Sequence, residues 1–190
     1  IHQSVLDAKT GKNVFAGRDG KPSKVFLNHI GGLQKYMAGA LALCAPNVNS
    51  YRRLVPESDA PTNVHWAIDN RTVSLRVPSS DPANLRVENR VPGADANPYL
   101  AFAASLACGY LGMVERIKPS DPVEGSAYRY AHTLPISLDE ALDKLNYTKP
   151  LKTILGETFA EAYNDVKLQE MQHFRKVISS WEREYLLLNI

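Results

Sequence analysis

The segment from Tyr99 to about Ile117 constrains the fold most, because it is rich in alanine and leucine and apolar on nearly every side of a helix. A helix with that pattern is buried between other layers of structure. It does not predict a membrane span, because a span needs roughly 18 to 20 apolar residues in succession, and Ser105, Gly109 and Gly112 interrupt this run. The segment therefore predicts a central helix in a protein that is not embedded in a membrane.

Another helix is predicted earlier in the chain. Ser23 is placed to cap a helix that continues to about Cys44 and is stopped by Pro46. The pair Gly31-Gly32 in its middle costs about 1 kcal/mol per residue relative to alanine. Such a cost predicts a compensating feature, and close packing against another backbone is the one we expect.

Short extended runs separated by prolines and polar turns fill the chain between these helices. Their composition predicts strands at Tyr51–Val55, Val64–Asp69, Thr72–Val77 and Leu85–Val91. Alternation over residues 1–22 predicts a further strand followed by a hairpin.

The last third of the chain predicts a long loop and then helices. Ser137 and Glu140 match a capping box for a helix through Leu145. A final helix is predicted to carry a single apolar stripe from Phe159 to Leu188. The order helix, strands, helix, helices contains no βαβ alternation, so the predicted fold class is α+β.

The overall charge is nearly balanced, with 22 basic and 20 acidic side chains and a formal net charge of +2. Together with a hydrophobic content of 44%, this excludes a disordered acidic chain and a basic nucleic-acid footprint covering the domain. Cys44 and Cys108 lie in apolar helical surroundings without CxxC spacing. They predict buried free thiols in a reducing compartment, and hence a cytoplasmic protein.

Arginine is concentrated between positions 51 and 90, an interval that contains no lysine. The planar guanidinium holds a carboxylate or phosphate bidentately, which lysine does not. Arg86, Glu88 and Arg90 alternate along a predicted strand, so their side chains share a face and the two guanidiniums flank the carboxylate. Two interpretations stay open: a structural arginine–glutamate ladder, or a pocket for a polyanion. The six arginines of the interval are Arg52, Arg53, Arg71, Arg76, Arg86 and Arg90.

Several other kinds of site are excluded or disfavoured. Neither GxxxxGK[ST] nor GxGxxG occurs, so any phosphate must be held by side chains. There is no nucleophile elbow and no HExxH helix. Acidic residues interleave the arginines without an aromatic platform, which disfavours a nucleic-acid interface. His2 and Ser4 are predicted to share one face of a strand, whereas His29 on the first helix is interpreted as an ordinary partly buried or surface histidine.

Five segments, in order along the chain, resemble the motifs of glutamine synthetases. His2-Gln3-Ser4 resembles the end of their histidine–x–histidine–x–serine motif, and Arg86-Val87-Glu88-Asn89-Arg90 resembles their RxExR motif. The other three are Asn49–Pro56, which is similar to NSYKRLVPG, Asn70–Pro78, which is similar to NRSASIRIP, and Ala96–Leu100, which reads ANPYL. The amino-acid sequence around these motifs is most similar to the γ-glutamylpolyamine synthetase branch of the family.

The resemblance implies an ATP-dependent ligase that phosphorylates the γ-carboxylate of glutamate and lets ammonia or an amine displace the phosphate. It also implies a mainly antiparallel sheet packed with helices, and Mg²⁺ or Mn²⁺ as the metal. By the motifs, the resemblance implies that His2, Ser4 and Arg86 would contact ATP. Arg71 and Arg76 would hold its phosphates, Arg71 would also stabilise the transferring group, and Glu88 would be a metal ligand. Arg53 and Arg90 would bind glutamate, and Asp59 would receive the ammonium proton.

The sequence also departs from the family pattern. The first histidine of the motif would precede Ile1, Asp59 stands where the family has a glutamate, and a phosphate-side lysine falls at about Ala83. The resemblance covers residues 1–190 as the C-terminal part of the catalytic domain, without the N-terminal β-grasp domain and the first half of the catalytic domain. It implies a homo-oligomer built as a double hexameric ring, and a chain that is inactive alone and exposes apolar surface.

The alternative from another class is an inert scaffold or regulatory partner. The joint presence of the arginines and Glu88 favours the enzyme, because a scaffold has no chemical need for them.

Overall fold

The computed structural model describes residues 1–188 as a four-stranded sheet packed against helices. The strands are β1 (His2–Gln3), β2 (Trp66–Ile68), β3 (Leu75–Val77) and β4 (Val87–Asn89). Their spatial order is β1-β4-β3-β2, with antiparallel pairs β1/β4 and β4/β3 and a parallel pair β3/β2. The predicted α+β class with a mainly antiparallel sheet is therefore confirmed, and the strands are shorter than predicted.

The helices are α1 (Lys24–Cys44), α2 (Pro98–Glu115), α3 (Leu138–Tyr147), α4 (Lys149–Leu155), α5 (Glu157–Phe174) and α6 (Ser180–Tyr185). Short 3-10 turns lie at Ser50–Arg52, Pro82–Asn84 and Ala127–Arg129. No helix among residues 1–188 is long and apolar enough to cross a bilayer.

The predicted strand at Tyr51–Val55 is wrong, because this segment forms a 3-10 turn. The backbone N–H of Arg53 donates to the Ser50 carbonyl at 3.3 Å. The Ser50 hydroxyl in turn donates to the Asp95 carboxylate at 2.5 Å. One local bond and one long-range bond thus satisfy backbone and side-chain groups of the turn, so the segment gains little from joining a sheet.

Helix α1 begins and ends where its sequence predicts. The Ser23 hydroxyl accepts the Phe26 backbone N–H at 3.1 Å, and the helix stops before Pro46. The two glycines in its middle are explained by close packing, of Gly32 against α2 and of Gly31 against the residues that follow α2. A Cβ at Gly32 would collide with the Cys108 carbonyl and with Gly112, and one at Gly31 would collide with the Ile117 carbonyl.

Helix α2 confirms the predicted extent, but the prediction of burial on all sides is wrong. Ala104, Cys108 and Gly112 face the core. One row of large apolar side chains is exposed instead, which accords with the expected exposed apolar surface: Tyr99, Phe102, Leu106, Tyr110 and Val114.

The predicted final helix is broken into two. The Ser179 hydroxyl and the Glu182 carboxylate form a complete capping box, which starts α6 as a separate helix. Phe159 and Tyr163 pack against the core, whereas Trp181 is exposed, so the apolar stripe is not continuous. At α3 the Ser137 hydroxyl accepts the Glu140 N–H, while the Glu140 carboxylate accepts the N–H of Ile136 instead of that of Ser137.

A first prediction concerns the helix crossing. Helix propensity alone would make Gly32→Ala stabilising by about 1 kcal/mol. Since the added methyl collides with backbone of α2, which cannot move aside as a side chain can, we expect destabilisation by roughly 1–3 kcal/mol. Urea denaturation measures the difference, with Val25→Ala on the exposed side of α1 as the control. A more stable Gly32→Ala protein would contradict the close crossing.

A second prediction concerns His29 in α1. The side chain is 1% exposed and therefore buried. The expectation of an ordinary partly buried or surface histidine was wrong. Neither ring nitrogen has a hydrogen-bond partner among residues 1–188, and burial lowers its pKa from 6.5 to about 4. The unfolded chain therefore binds a proton more readily than the folded chain. We expect the free energy of unfolding to fall by up to about 3 kcal/mol as the pH drops from about 6.5 to about 4.

The measurement compares urea midpoints across that pH range in the parent protein, in His29→Gln and in His173→Gln. His29→Gln should lose this part of the pH dependence, while His173→Gln, which alters an exposed histidine, should keep it. An unchanged slope in His29→Gln would show that the buried imidazole does not carry the effect.

Candidate functional site

Strand β4 lies in the interior of the sheet and places Glu88 at the centre of a charged row. In the strand register His2 lies opposite Glu88 on one side and Arg76 lies opposite Glu88 on the other. The neighbours of Glu88 along the strand, Val87 and Asn89, point to the other face and are fully buried. Alternation along each strand thus separates a charged face from the core face.

An ion network joins the charged row. Arg76 donates from Nη1 to Glu88 Oε2 at 2.8 Å and from Nη2 to Asp69 Oδ1 at 2.8 Å. The Arg90 Nε lies 3.9 Å from Glu88 Oε1. Burial raises the pKa of Glu88, but the hydrogen bond and charge of Arg76 together with the charges of His2 and Arg90 outweigh it, so the net pKa is lowered. Glu88 therefore stays a carboxylate.

The sequence prediction that Arg86 flanks Glu88 is wrong. The Arg86 Nε donates to His2 Nδ1 at 3.3 Å, and its Nη1 donates to the Asn84 carbonyl at 3.1 Å. Residues directly opposite each other on paired strands are closer than residues two apart on one strand. Arg76 on β3 therefore takes the place beside Glu88 that alternation along β4 assigned to Arg86.

Arg90 ties two surface segments to the sheet. Its Nη1 donates to the carbonyls of Arg71 and Val73, and its Nη2 donates to the Asp59 carbonyl at 3.1 Å. The guanidinium therefore fixes the backbones that carry Asp59 and Arg71 while it stays near Glu88.

Asp59 and Arg71 are exposed, and neither side chain has a hydrogen bond or ion pair with residues 1–188. Asp59 has a left-handed backbone with φ 60°, and the Ser58 hydroxyl beside it donates to the Arg53 and Val55 carbonyls. Side chains without partners on an anchored turn are available to a ligand.

Arg53 forms no hydrogen bond or ion pair with the charged row among residues 1–188. Its Nη2 donates to the Val91 carbonyl at 2.7 Å. Burial lowers its pKa, and the charge of nearby Asp95 opposes that effect. Ser4 follows β1 and is exposed beside His2. The structure thus brings together His2, Arg76, Arg86, Glu88 and Arg90, and joins Asp59 and Arg71 to them through Arg90.

Two acidic residues of this region had no role assigned from sequence. Asp69 follows β2 with φ 47° and accepts both Arg76 and the Ser79 N–H, at 3.2 Å. Asp95 accepts Ser50 and Asn47. Their position within or next to the arginine-rich interval could have indicated that they pair with arginines. Which arginine each acid contacts depends on strand register, which the sequence alone does not give.

The described residues contain no complete metal-ligand cluster. Among residues 1–188 no three His, Cys, Asp or Glu side chains are close enough to hold an ion together. Glu88 has the carboxylate oxygens that Mg²⁺ or Mn²⁺ prefers. Glu88 therefore fits as one ligand of such a site, which the described residues do not complete.

The charged face on an α+β sheet is the candidate site, and the comparisons identify the family to which the chain belongs. Residues 1–186 match the family model for the glutamine synthetase catalytic domain. The chain therefore belongs to the glutamine synthetase catalytic-domain family.

Relatives in this family include enzymes with different amine substrates in their names. The chain is 38% identical over 188 residues to glutamate–isopropylamine ligase of Pseudomonas sp, covering 96% of this chain and 41% of that protein. It is 38% identical over 190 residues to gamma-glutamylputrescine synthetase of Escherichia coli (strain K12), and the match covers 100% of this chain and 40% of that protein. It is 35% identical over 205 residues to glutamine synthetase of Pyrococcus woesei, and the match covers 97% of this chain and 46% of that protein.

Solved structures agree with the sequence comparisons. A GmaS/ADP complex matches with a TM-score of 0.87 and 31% identity, covering 98% of this chain and 45% of that chain. GmaS without ligand matches with a TM-score of 0.86 and 31% identity, covering 98% and 44%. The chain spans about two fifths of the length of the curated relatives it matches.

A third prediction tests the ion network. Replacing Arg76 with glutamine removes the hydrogen bond and the charge that oppose the burial of Glu88. We expect the pKa of Glu88 to rise, as measured by NMR titration of its side-chain carboxyl carbon. Arg52→Gln, at an exposed arginine with no ion pair to residues 1–188, should leave the titration unchanged. A Glu88 pKa that Arg76→Gln does not move would show that the pair is not formed in solution.

Proposed function

We propose that the chain forms the C-terminal part of the catalytic domain of an ATP-dependent ligase. The ligase joins the γ-carboxylate of glutamate to an amine or ammonia through a γ-glutamyl phosphate. The observation that carries this proposal is the row His2–Glu88–Arg76 with Arg90, formed across three strands of a chain that belongs to the glutamine synthetase family. A carboxylate among guanidiniums suits a reaction in which phosphate charge must be neutralised.

The nucleotide is proposed to bind along the exposed face of the sheet. His2, Ser4 and Arg86 lie at its β1 side and would contact ATP. Arg71 has no partner among residues 1–188 and is free to take a phosphate, whereas Arg76 must exchange contacts with Asp69 or Glu88 to do so. A bound Mg²⁺ or Mn²⁺ would neutralise phosphate charge, and Glu88 is the ligand that this chain would contribute.

Glutamate and the amine are proposed to meet near Arg90. Arg53 and Arg90 would bind the carboxylates of glutamate, and Asp59 would bind the amine and accept its proton. Because Arg90 donates to the carbonyls of both Asp59 and Arg71, one guanidinium sets the positions of the proposed proton acceptor and the proposed phosphoryl-stabilising arginine.

The acid at position 59 is consistent with an altered choice of amine. Aspartate is one methylene shorter than the glutamate of the family pattern, so it leaves room for a substituted amine. Two relatives carry isopropylamine and putrescine in their names. We propose an alkylamine or polyamine as the preferred acceptor, in a cytoplasmic homo-oligomer.

A fourth prediction tests this function in a chimera. Residues 1–190 replace the matching part of the Escherichia coli gamma-glutamylputrescine synthetase, and phosphate release is followed with ammonia, ethanolamine, putrescine and spermidine. We expect amine-dependent release, strongest with putrescine or spermidine. Glu88→Ala should lower the rate by at least roughly a hundredfold, since a metal ligand stabilises transition-state charge by several kcal/mol.

Glu161→Gln, on the exposed side of α5, is the matched control and should keep full activity. Full turnover in Glu88→Ala would remove Glu88 from the metal site, and an equally flat response to all four amines would favour the scaffold. The isolated chain should release no phosphate, because residues 1–188 contain no complete metal-ligand set. Activity of that chain alone would contradict its proposed dependence on further residues.

A further inference from the structure

A cavity of about 660 Å³ lies apart from the charged row, at the other end of α1 and α2. It is enclosed by the first turns of α1, by the residues that follow α2 and by Trp66 of β2. Trp66 lies on the opposite face of the sheet from the strand positions of Arg76 and Glu88, because side chains alternate along β2 and its neighbours. None of the residues proposed above for the ligase reaction lines this cavity.

The lining combines an apolar floor with unpaired positive charge. Leu27, Trp66, Pro119 and Pro122 supply the apolar surface. Three basic side chains surround it, and the structure gives none of them an ion pair or side-chain hydrogen bond with residues 1–188: Lys24, Arg116 and Lys118. Asp121 is the one acidic residue of the lining, so the cavity carries a net positive charge.

The wall of the cavity is held rigidly before any ligand arrives. The Trp66 indole N–H donates to the Ser120 carbonyl at 2.7 Å, and the Gln34 side chain exchanges hydrogen bonds with the Ser120 hydroxyl and backbone N–H at 2.9 Å each. The Asn28 amide donates to the Ile117 carbonyl at 2.8 Å. A preformed wall reduces the entropy lost on binding, which favours a ligand site over a loop that closes by collapse.

Arg116 has an unusual backbone conformation beside the cavity. It ends α2 in the left-handed conformation, with φ 54° and ψ 43°, where glycine is the usual residue. The arginine in this position accepts backbone strain that a glycine would avoid, and its side chain lies at the cavity.

We propose that this cavity binds a small organic anion whose carboxylate or phosphate group is attached to an apolar or aromatic body. The body packs on Trp66 and the prolines, and the acidic group pairs with Arg116, Lys118 and Lys24. The volume suits such a molecule, since ligand pockets measure roughly 300–1,000 Å³ and are mostly apolar with a few placed polar groups. The site would allow an anionic metabolite to act on the protein independently of the ligase substrates.

A fifth prediction tests the site with matched probes. 1-Naphthoate, 1-naphthyl phosphate and the neutral 1-naphthalenemethanol are titrated separately into the ¹⁵N-labelled chain, and the two tryptophan indole N–H signals are followed by NMR. We expect both anions to shift the Trp66 signal saturably and to leave that of Trp181 in place. The stronger of the two anions identifies the acidic group, and the neutral alcohol should bind at least about tenfold more weakly, because hydrogen bonds to charged groups are worth about a decade each.

Arg116→Gly separates binding from a structural role. It removes the guanidinium but places glycine where the left-handed backbone favours it, so thermal stability should hold or rise while the dissociation constant increases about tenfold. Lys118→Gln should weaken binding similarly, and Lys9→Gln, in the distant hairpin, should not. Equal binding of the neutral alcohol, equal shifts of Trp66 and Trp181, or parent-like affinity in Arg116→Gly and Lys118→Gln would overturn the proposal.

Discussion

The close crossing of α1 and α2 is the constraint on which the rest of the structure depends. Glycines on both helices remove the side chains that would hold the axes apart, and the backbones meet directly at Gly32 and Gly112. This approach places Ser105 of α2 beside the core face of the sheet. Ser105 donates to the Gln3 side chain at 2.8 Å and accepts the Asn89 amide at 2.9 Å, so a buried polar contact fixes β1 and β4 together. Because a one-residue slip would turn the charged row inward, that contact also protects the register of the site.

The charged side chains on the exposed face of the sheet are partly buried, and their pairing offsets the cost of desolvation. A half-buried carboxylate or guanidinium without a partner would be costly. In the described residues Arg76 is shared between Asp69 and Glu88, and Arg90 spreads its donors over Glu88 and three backbone carbonyls. Within the described residues the charges are therefore paired without ligand, and only the buried Nε of Arg76 lacks a hydrogen-bond partner. Under the proposed function, ATP binding becomes an exchange in which phosphate oxygens replace carboxylate oxygens at Arg76, while unpaired Arg71 adds a new contact.

How much the sequence could predict depended on whether a feature is local. Ser23 at the start of α1 and the extent of α2 follow from capping and composition, and both were predicted. The Arg76–Glu88 pair depends on which residues of β3 and β4 face each other, a property of tertiary register, so alternation along one strand pointed to Arg86 instead. The exposed row of α2 escaped prediction because apolar composition does not say which side meets a neighbour. Asp69 was visible as an acid in an arginine-rich interval, but its contact with Arg76 also required the parallel pairing of β2 and β3.

The turn that carries Asp59 shows why family membership and substrate choice are separate questions. Identity is 38% to relatives named for isopropylamine and putrescine and 35% to one named glutamine synthetase, so overall similarity does not distinguish the amines. The local backbone is more informative. Aspartate tolerates the left-handed conformation found at position 59 better than a longer or branched side chain does. The same turn is anchored by Arg90 and Ser58. On a fixed turn, the carboxylate of aspartate reaches about one methylene less far than that of the glutamate in the family pattern. In the proposed reaction the alkyl chain of the amine occupies the space left free.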